Sequence, residues 1–240
     1  MFERDHHRRI ATVLEKLNAS LLVEHGCYFG GGTAMALRYG EYRESVDMDF
    51  LVSRIAGYRA LRQLLTGPLA LQALARPGAV LQTLREVRAD QYGIRTVVQA
   101  EQQPIKFEIV LEGRMALETP GAQDAVCGIA TLTPLDMATS KLLANSDRWA
   151  DDSVFSRDLI DLAMMQPGKK LLQQAFDKSR QAYGSSIETD LAKAMDRLLI
   201  RSGRLERCMQ MMQMNVPKAV LWQRIQALAP RTKNAPHLGD

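Results

Sequence analysis

The stretch FGGGTAMALRYGEYRESVDMDFLV, residues 29–52, is the part of the chain whose reading decides the fold. Cys27-Tyr28-Phe29 is a short apolar run, Gly30-Gly31-Gly32 follows it, and Thr33 to Tyr39 are helix formers closed by Gly40. That order reads as strand, glycine turn, helix. Glycines at such a turn let the backbone approach a ligand, and their N–H groups, with the positive end of the next helix, form a seat for phosphate. Thr33 is placed to cap that helix and to offer its hydroxyl. The cluster has neither the Lys-Ser/Thr ending of a P-loop nor GxGxxG spacing, so glycines that merely fill a tight turn are the competing reading.

Val46 to Val52 alternates, with Asp47 and Asp49 on one side of a strand and Met48, Phe50 and Val52 on the other. Two carboxylates at i and i+2 lie ~7 Å apart along the backbone, within reach of one hard divalent cation. Without a cation their like charges repel. A solvent-facing strand that carries two aspartates is the alternative. Ile105 to Leu111 predicts a second alternating strand, with Phe107, Ile109 and Leu111 towards the core and Glu108 beside Lys106 on the other face. If the two strands pair, Asp47, Asp49 and Glu108 converge opposite the glycine turn, a set able to hold two Mg²⁺ ions for in-line nucleotidyl displacement. An exposed Lys106–Glu108 pair is the plainer reading.

Outward from this centre, Ile10, Val13, Leu14, Leu17, Leu21 and Leu22 predict one amphipathic N-terminal helix ending at Gly26. Ile55 to Leu65 reads as a helix stopped by Gly67-Pro68, and Leu84–Ala89 with Tyr92–Gln99 as a hairpin turning at Asp90-Gln91. Gly113, Pro120, Gly121 and Gly128 punctuate a connector; Thr133-Pro134 then caps and opens a helix running towards Ala144. Only helical patterns follow, over 157–165, 169–182, 187–200, 204–212 and 217–228. The expected class is α+β, with an α/β domain over 1–130 and a helical domain over 131–240. The polar tail from Pro230 is expected to fray.

Composition bounds the function. With 240 residues, 46% hydrophobic and 24% charged, the chain is in the globular range. The start MFERDHHRRI has no apolar region behind it and no run is long enough for a membrane helix, so a soluble cytoplasmic protein is expected. Cys27, Cys127 and Cys208 are scattered and the four histidines are too dispersed for a metal site. His25 and Cys27 adjoin a buried strand and receive no catalytic role. Residues 1–140 carry 15 Lys+Arg against 16 Asp+Glu, residues 141–240 carry 16 against 11, so the second half is basic, suited to an anionic partner or, more plainly, an ordinary solvated surface. Tyr39, Tyr42 and Arg43 could stack on a base or pack at a helix end, and Met209, Met211, Met212 and Met214 could dock a partner or fill the core.

The run from Gly30 to Phe50 resembles the signature of the DNA polymerase β nucleotidyltransferase superfamily, a glycine pair with Ser or Thr opening a helix and two acids one residue apart on the next strand. More narrowly, GGTAMALRYGEYRESVDMDF resembles the AbiEii/AbiGii-type nucleotidyltransferases, the toxin half of bacterial toxin–antitoxin and phage-abortive systems. The likeness continues in Lys141 within TPLDMATSKLLA, Arg148, and the Arg-Asp-x-x-Asp pattern Arg157-Asp158-Leu159-Ile160-Asp161, covering about residues 25–165. It implies a mixed sheet with flanking helices followed by a helical region. It implies that Gly31, Gly32 and Thr33 hold the triphosphate, that Asp47 and Asp49, with Glu108, bind Mg²⁺, and that Lys141, with Arg148 and Asp158, serves the nucleotide. Asp158 also has a structural reading, as a salt link to Lys141 or Arg148. The implied reaction moves an NMP from an NTP to a hydroxyl acceptor, a tRNA 3′ end or a protein side chain, with growth arrest unless an antitoxin opposes it. A small-molecule nucleotidyltransferase of the aminoglycoside-modifying kind and a non-catalytic nucleotide- or partner-binding module are the alternatives.

Overall fold

In the computed structural model, which describes residues 2–229, the N-terminal apolar stripe forms two helices instead of the single expected one, α1 (Asp5–Leu14) and α2 (Ala19–Glu24). The break lies at Asn18. Its side chain accepts from the Leu21 N–H and caps α2, while its own N–H donates to the Leu74 carbonyl at 2.7 Å. A cap residue leaves the helical path, so the chain turns while the apolar stripe stays against the core. Ile10, Val13, Leu14, Leu17 and Leu22 are all buried.

Gly26, at φ +64°, turns the chain into β1 (Cys27–Gly30), which leads through the glycines into α3 (Gly31–Arg38) and then β2 (Met48–Val52). After α4 (Ile55–Leu65) come β3 (Gln82–Ala89), β4 (Gly93–Ala100) and β5 (Gln103–Leu111). The five strands form one mixed sheet in the order β1-β2-β5-β4-β3, in which only β2 and β5 run parallel. A parallel neighbour requires a crossover. Here α4 and the β3–β4 hairpin lie within it, and it brings residue 108 beside residue 49. Phe29, Phe50 and Phe107 pack beneath the sheet with ring centroids 5.3 and 5.2 Å apart.

The expected connector holds a small hairpin, β6 (Ala125–Val126) and β7 (Ile129–Ala130), whose turn residues Cys127 and Gly128 both have positive φ. Strands of two residues show no alternation to read. Likewise unforeseen, a 3₁₀ turn over Ala70–Leu74 buries Leu71 and Leu74. Thr133 caps α5 (Pro134–Arg148) by accepting from the Asp136 N–H. Then follow α6 (Arg157–Met165), α7 (Lys169–Tyr183), α8 (Ser186–Ile200), α9 (Arg204–Met211) and α10 (Lys218–Gln226), each within two residues of its expected limits. The buried core is continuous from Ile10 to Leu228. No helix among the described residues is long and apolar enough to cross a membrane. The tail from Pro230 lies outside the described residues.

Candidate active site

The glycine turn is shaped by what stands against it. Gly30 occupies the N-cap of α3 and Gly31 has φ +67°. A Cβ at Gly31 would overlap the Asp49 carboxylate, and one at Gly32 would overlap the Arg43 guanidinium. At Gly31 only glycine satisfies both the backbone and the space. Thr33 does not cap the helix as expected. It is fully buried, and its hydroxyl donates to the Asp47 carbonyl and meets Ser45 Oγ at 2.8 Å. With one proton to give, it leaves Ser45 as the donor in the second bond. Thr33 therefore holds the segment that carries Asp47, and its hydroxyl is turned to this task instead of to the cleft.

Strand register assembles the acidic wall. Asp49 pairs with Gly30 on one side and with Glu108 on the other, and Asp47 precedes β2 by one residue. Among the described residues neither Asp47 nor Asp49 has a side-chain hydrogen bond or ion pair, and both line a cleft of about 300 Å³ with Gly31, Gly32 and Lys141. Burial, then the neighbouring Asp47 and Glu108 carboxylates, push the Asp49 carboxyl up to about 6, with Lys141 and Arg157 acting against them. Glu108 also lines the cleft, but its carboxylate is engaged by Arg95 Nε at 2.6 Å, and not by Lys106. The strands thus pair as expected, while the third carboxylate is drawn sideways. Among the described residues no three acidic, histidine or cysteine side chains are gathered as a metal cage.

The opposite wall is basic. Asp161 of α6 is fully buried and takes a bidentate contact from Arg43 at 2.6 and 2.9 Å, the Tyr42 hydroxyl at 2.7 Å and Lys141 at 2.6 Å. Asp158, one turn away, accepts from Lys141 at 3.2 Å and from Arg148 at 2.6 and 2.9 Å. Burial alone would raise both carboxyls, but the adjacent Arg43 and Lys141 at Asp161, and Lys141 and Arg148 at Asp158, hold them below the usual carboxylate range. Two carboxylates therefore fix three cations, and Arg157 lines the same cleft. The cation excess faces the acidic strands, the arrangement that a polyphosphate bridging metal and protein requires.

The structural reading of Asp158 is met in full, since it bonds both Lys141 and Arg148. Tyr42 and Arg43 do not stack in the cleft through their rings or planes; they are buried partners of Asp161. The sequence reading gave Ser45 and Ser140 no role and Arg43 only base stacking or packing at a helix end, although all three line the site. The only available signal was the position of Arg43 and Ser45 between the glycine turn and the paired aspartates. Cys27 is buried in β1, and burial raises its thiol, so it is not a nucleophile. Met212 is buried and Met209 and Met214 pack on the core, as filler, whereas Met211 is exposed.

A family model described as "Nucleotidyl transferase AbiEii toxin, Type IV TA system" matches residues 13–231. Among solved structures, the "putative nucleotidyltransferase from H. pylori" is 17% identical over 94% of this chain and 93% of its own, with a TM-score of 0.48. JHP933 from Helicobacter pylori is 16% identical over 94% of this chain and 90% of its own, also at 0.48. No curated protein matches the chain.

Proposed function

The chain belongs to the AbiEii nucleotidyl transferase toxin family of type IV toxin–antitoxin systems, and from that premise we propose that it transfers a nucleoside monophosphate from an NTP to the 3′ hydroxyl of an RNA, tRNA being the leading substrate. The observation that carries this reading is the pair of carboxylates Asp47 and Asp49, unpartnered among the described residues, with Asp49 set against Gly31 and both lining one cleft with Lys141.

The residues present fit a hard cation. Asp47 and Asp49 are oxygen donors without protein partners among the described residues, and their mutual repulsion is what a divalent ion relieves. Asp47 and Asp49 would hold Mg²⁺, with Glu108 joining them once it leaves Arg95. When bound, Mg²⁺ supplies charge neutralisation at the triphosphate and activation of the attacking oxygen. The Gly31 and Gly32 N–H groups, at the positive end of α3, seat phosphate oxygens. Lys141, Arg148 and Arg157 offset the negative charge that gathers on the departing pyrophosphate. Asp158 and Asp161 are positioning residues: Asp158 lines the cleft but its carboxylate is taken by Lys141 and Arg148, and the buried Asp161 holds Lys141 and Arg43. In the reaction the acceptor oxygen bonds to the α-phosphorus, the bond from that phosphorus to the α–β bridging oxygen breaks, and pyrophosphate leaves. The hydroxyl proton passes to a carboxylate of the Asp47–Asp49 pair or to water. In the cell an antitoxin encoded beside the toxin would oppose growth arrest.

The test incubates the protein with Mg²⁺, each labelled NTP in turn and total tRNA, beside an Asp49→Ala control. Label in RNA that requires Asp49 is the expected result. Label on protein would move the acceptor to a side chain. NTP binding with no label in any acceptor would leave a non-catalytic module.

A further inference from the structure

We propose that the open face of β3, β4 and β5 is the docking surface for the acceptor, a single-stranded RNA 3′ end whose phosphates lie over Arg88, Arg95 and Lys106 and whose terminal hydroxyl reaches Asp49. The inference rests on the reading that a nucleotide is transferred to a hydroxyl, and it names where the acceptor binds.

Register places the cations in line with the site. Arg88 pairs with Arg95, Arg95 with Glu108, and Glu108 with Asp49. Residues directly opposite one another share a sheet face. Four neighbouring strands at spacings of about 4.8 Å set this row at about 14 Å from the sheet edge to the aspartates. Lys106 stands two residues before Glu108 on the same face of β5. The face forms a groove of about 540 Å³, lined also by Arg85 and Glu86, and Glu108 belongs to both the groove and the cleft. Groove and cleft thus meet at Glu108.

Charge selects the occupant. Four cations line the groove against two carboxylates, and one of those, Glu108, is already bound by Arg95. Arg85, Arg88 and Lys106 are exposed and have no ion-pair partner among the described residues. The basic second half of the chain differs: Lys141, Arg148, Lys178, Arg180, Arg197 and Arg204 are each held by a carboxylate. Those six are taken by acids, whereas the sheet face sets three free cations side by side for a polyanion. A chain with a phosphate at every residue and a hydroxyl at its end fits a basic row that ends at the aspartates. A protein side chain as acceptor brings no such repeating charge.

The experiment measures binding of a short fluorescein-labelled single-stranded RNA to the full chain by anisotropy, without NTP, across a salt series. Arg88→Glu/Lys106→Glu should weaken binding roughly tenfold or more and lower the log–log salt slope by about 1.4, the loss of two phosphate contacts to a single strand. Arg88→Lys/Lys106→Arg, which keeps both charges, should bind like wild type, separating lost charge from lost fold. Lys169→Glu/Lys170→Glu, on exposed positions of α7, should bind like wild type too. Loss of binding in the α7 pair with binding retained in the sheet pair would overturn the proposal, as would a wild-type protein that binds no RNA. RNA binding that depends on Arg88 and Lys106, in a protein that transfers no nucleotide from any NTP, would sustain the docking surface and sink the transfer reading.

Discussion

At Gly31 a side chain is excluded twice, by a φ of +67° and by the Asp49 carboxylate, which lies where a Cβ would go. Gly31→Ala should lose about 1–2 kcal/mol from the left-handed backbone alone, and more as Asp49 is displaced. Urea unfolding checks the first effect and NTP titration the second, where weaker binding is expected. Asp49 itself should destabilise the metal-free protein. Its folded pKa of about 6 lies above the ordinary carboxylate value, so the folded state binds its proton more tightly and stability falls as pH rises from about 4 to about 6. Asp49→Asn should therefore be more stable than wild type by about 1–3 kcal/mol at pH 7 without metal, with the difference gone below about pH 4. Thermal melts across pH, with chelator present, decide it; equal stability at pH 7 would mean that Asp49 is already relieved by Lys141 and Arg157.

Helix α6 presents Asp158 and Asp161 on one face, an i, i+3 pair, and both become hubs only because α5 and the 42–43 segment pack against that face. Removing one partner of a buried ion network leaves the others uncompensated. Asp161→Ala should cost about 3–5 kcal/mol by leaving Arg43 and Lys141 unpaired, whereas Tyr42→Phe removes one bond to a carboxylate with two cationic partners remaining and should cost about 1 kcal/mol. Chemical denaturation of both variants gives the comparison. The helices were legible from their periodicity, and the Thr133-Pro134 start of α5 from its cap chemistry. The break at Asn18 was not, because the stripe from Ile10 to Leu22 keeps helical spacing across it and the deciding contact, Asn18 to Leu74, is between residues far apart in sequence.

Across the whole molecule, the segment that supplies Arg43, Ser45 and Asp47 is tied to the first helix. The Ser45 N–H donates to His7 Nε2 at 3.2 Å, which leaves His7 Nδ1 to donate to Glu41 at 2.7 Å. Because Nε2 accepts from Ser45, the imidazole is neutral in the fold, and burial lowers its pKa with Glu41 opposing it. The unfolded chain takes up this proton first. The contribution is then complete above about pH 6.5 and is lost as pH falls through the lower folded value. Unfolding free energy measured from pH 8 to pH 5 should decline more steeply in wild type than in His7→Gln; parallel curves would show that His7 does not couple to folding.

The glycine turn, the Asp47–Asp49 pair and the Glu108 strand could be read from the chain because each depends on local geometry: a period of two, a turn that admits only glycine, and a cap before a proline. Those local rules also carried the family resemblance. What they left open was every contact between distant segments. The parallel pairing of β2 with β5 sets Glu108 beside Asp49, yet the neighbouring strand β4 supplies Arg95, which takes its carboxylate. Thr33 faces inward because the 45–47 segment folds over it, and Lys141 and Arg148 are taken by Asp158 and Asp161 while the sheet face keeps free cations. Side-chain partners are chosen by packing in three dimensions, where residues far apart in the chain compete for the same carboxylate, and no periodicity along the sequence records the outcome.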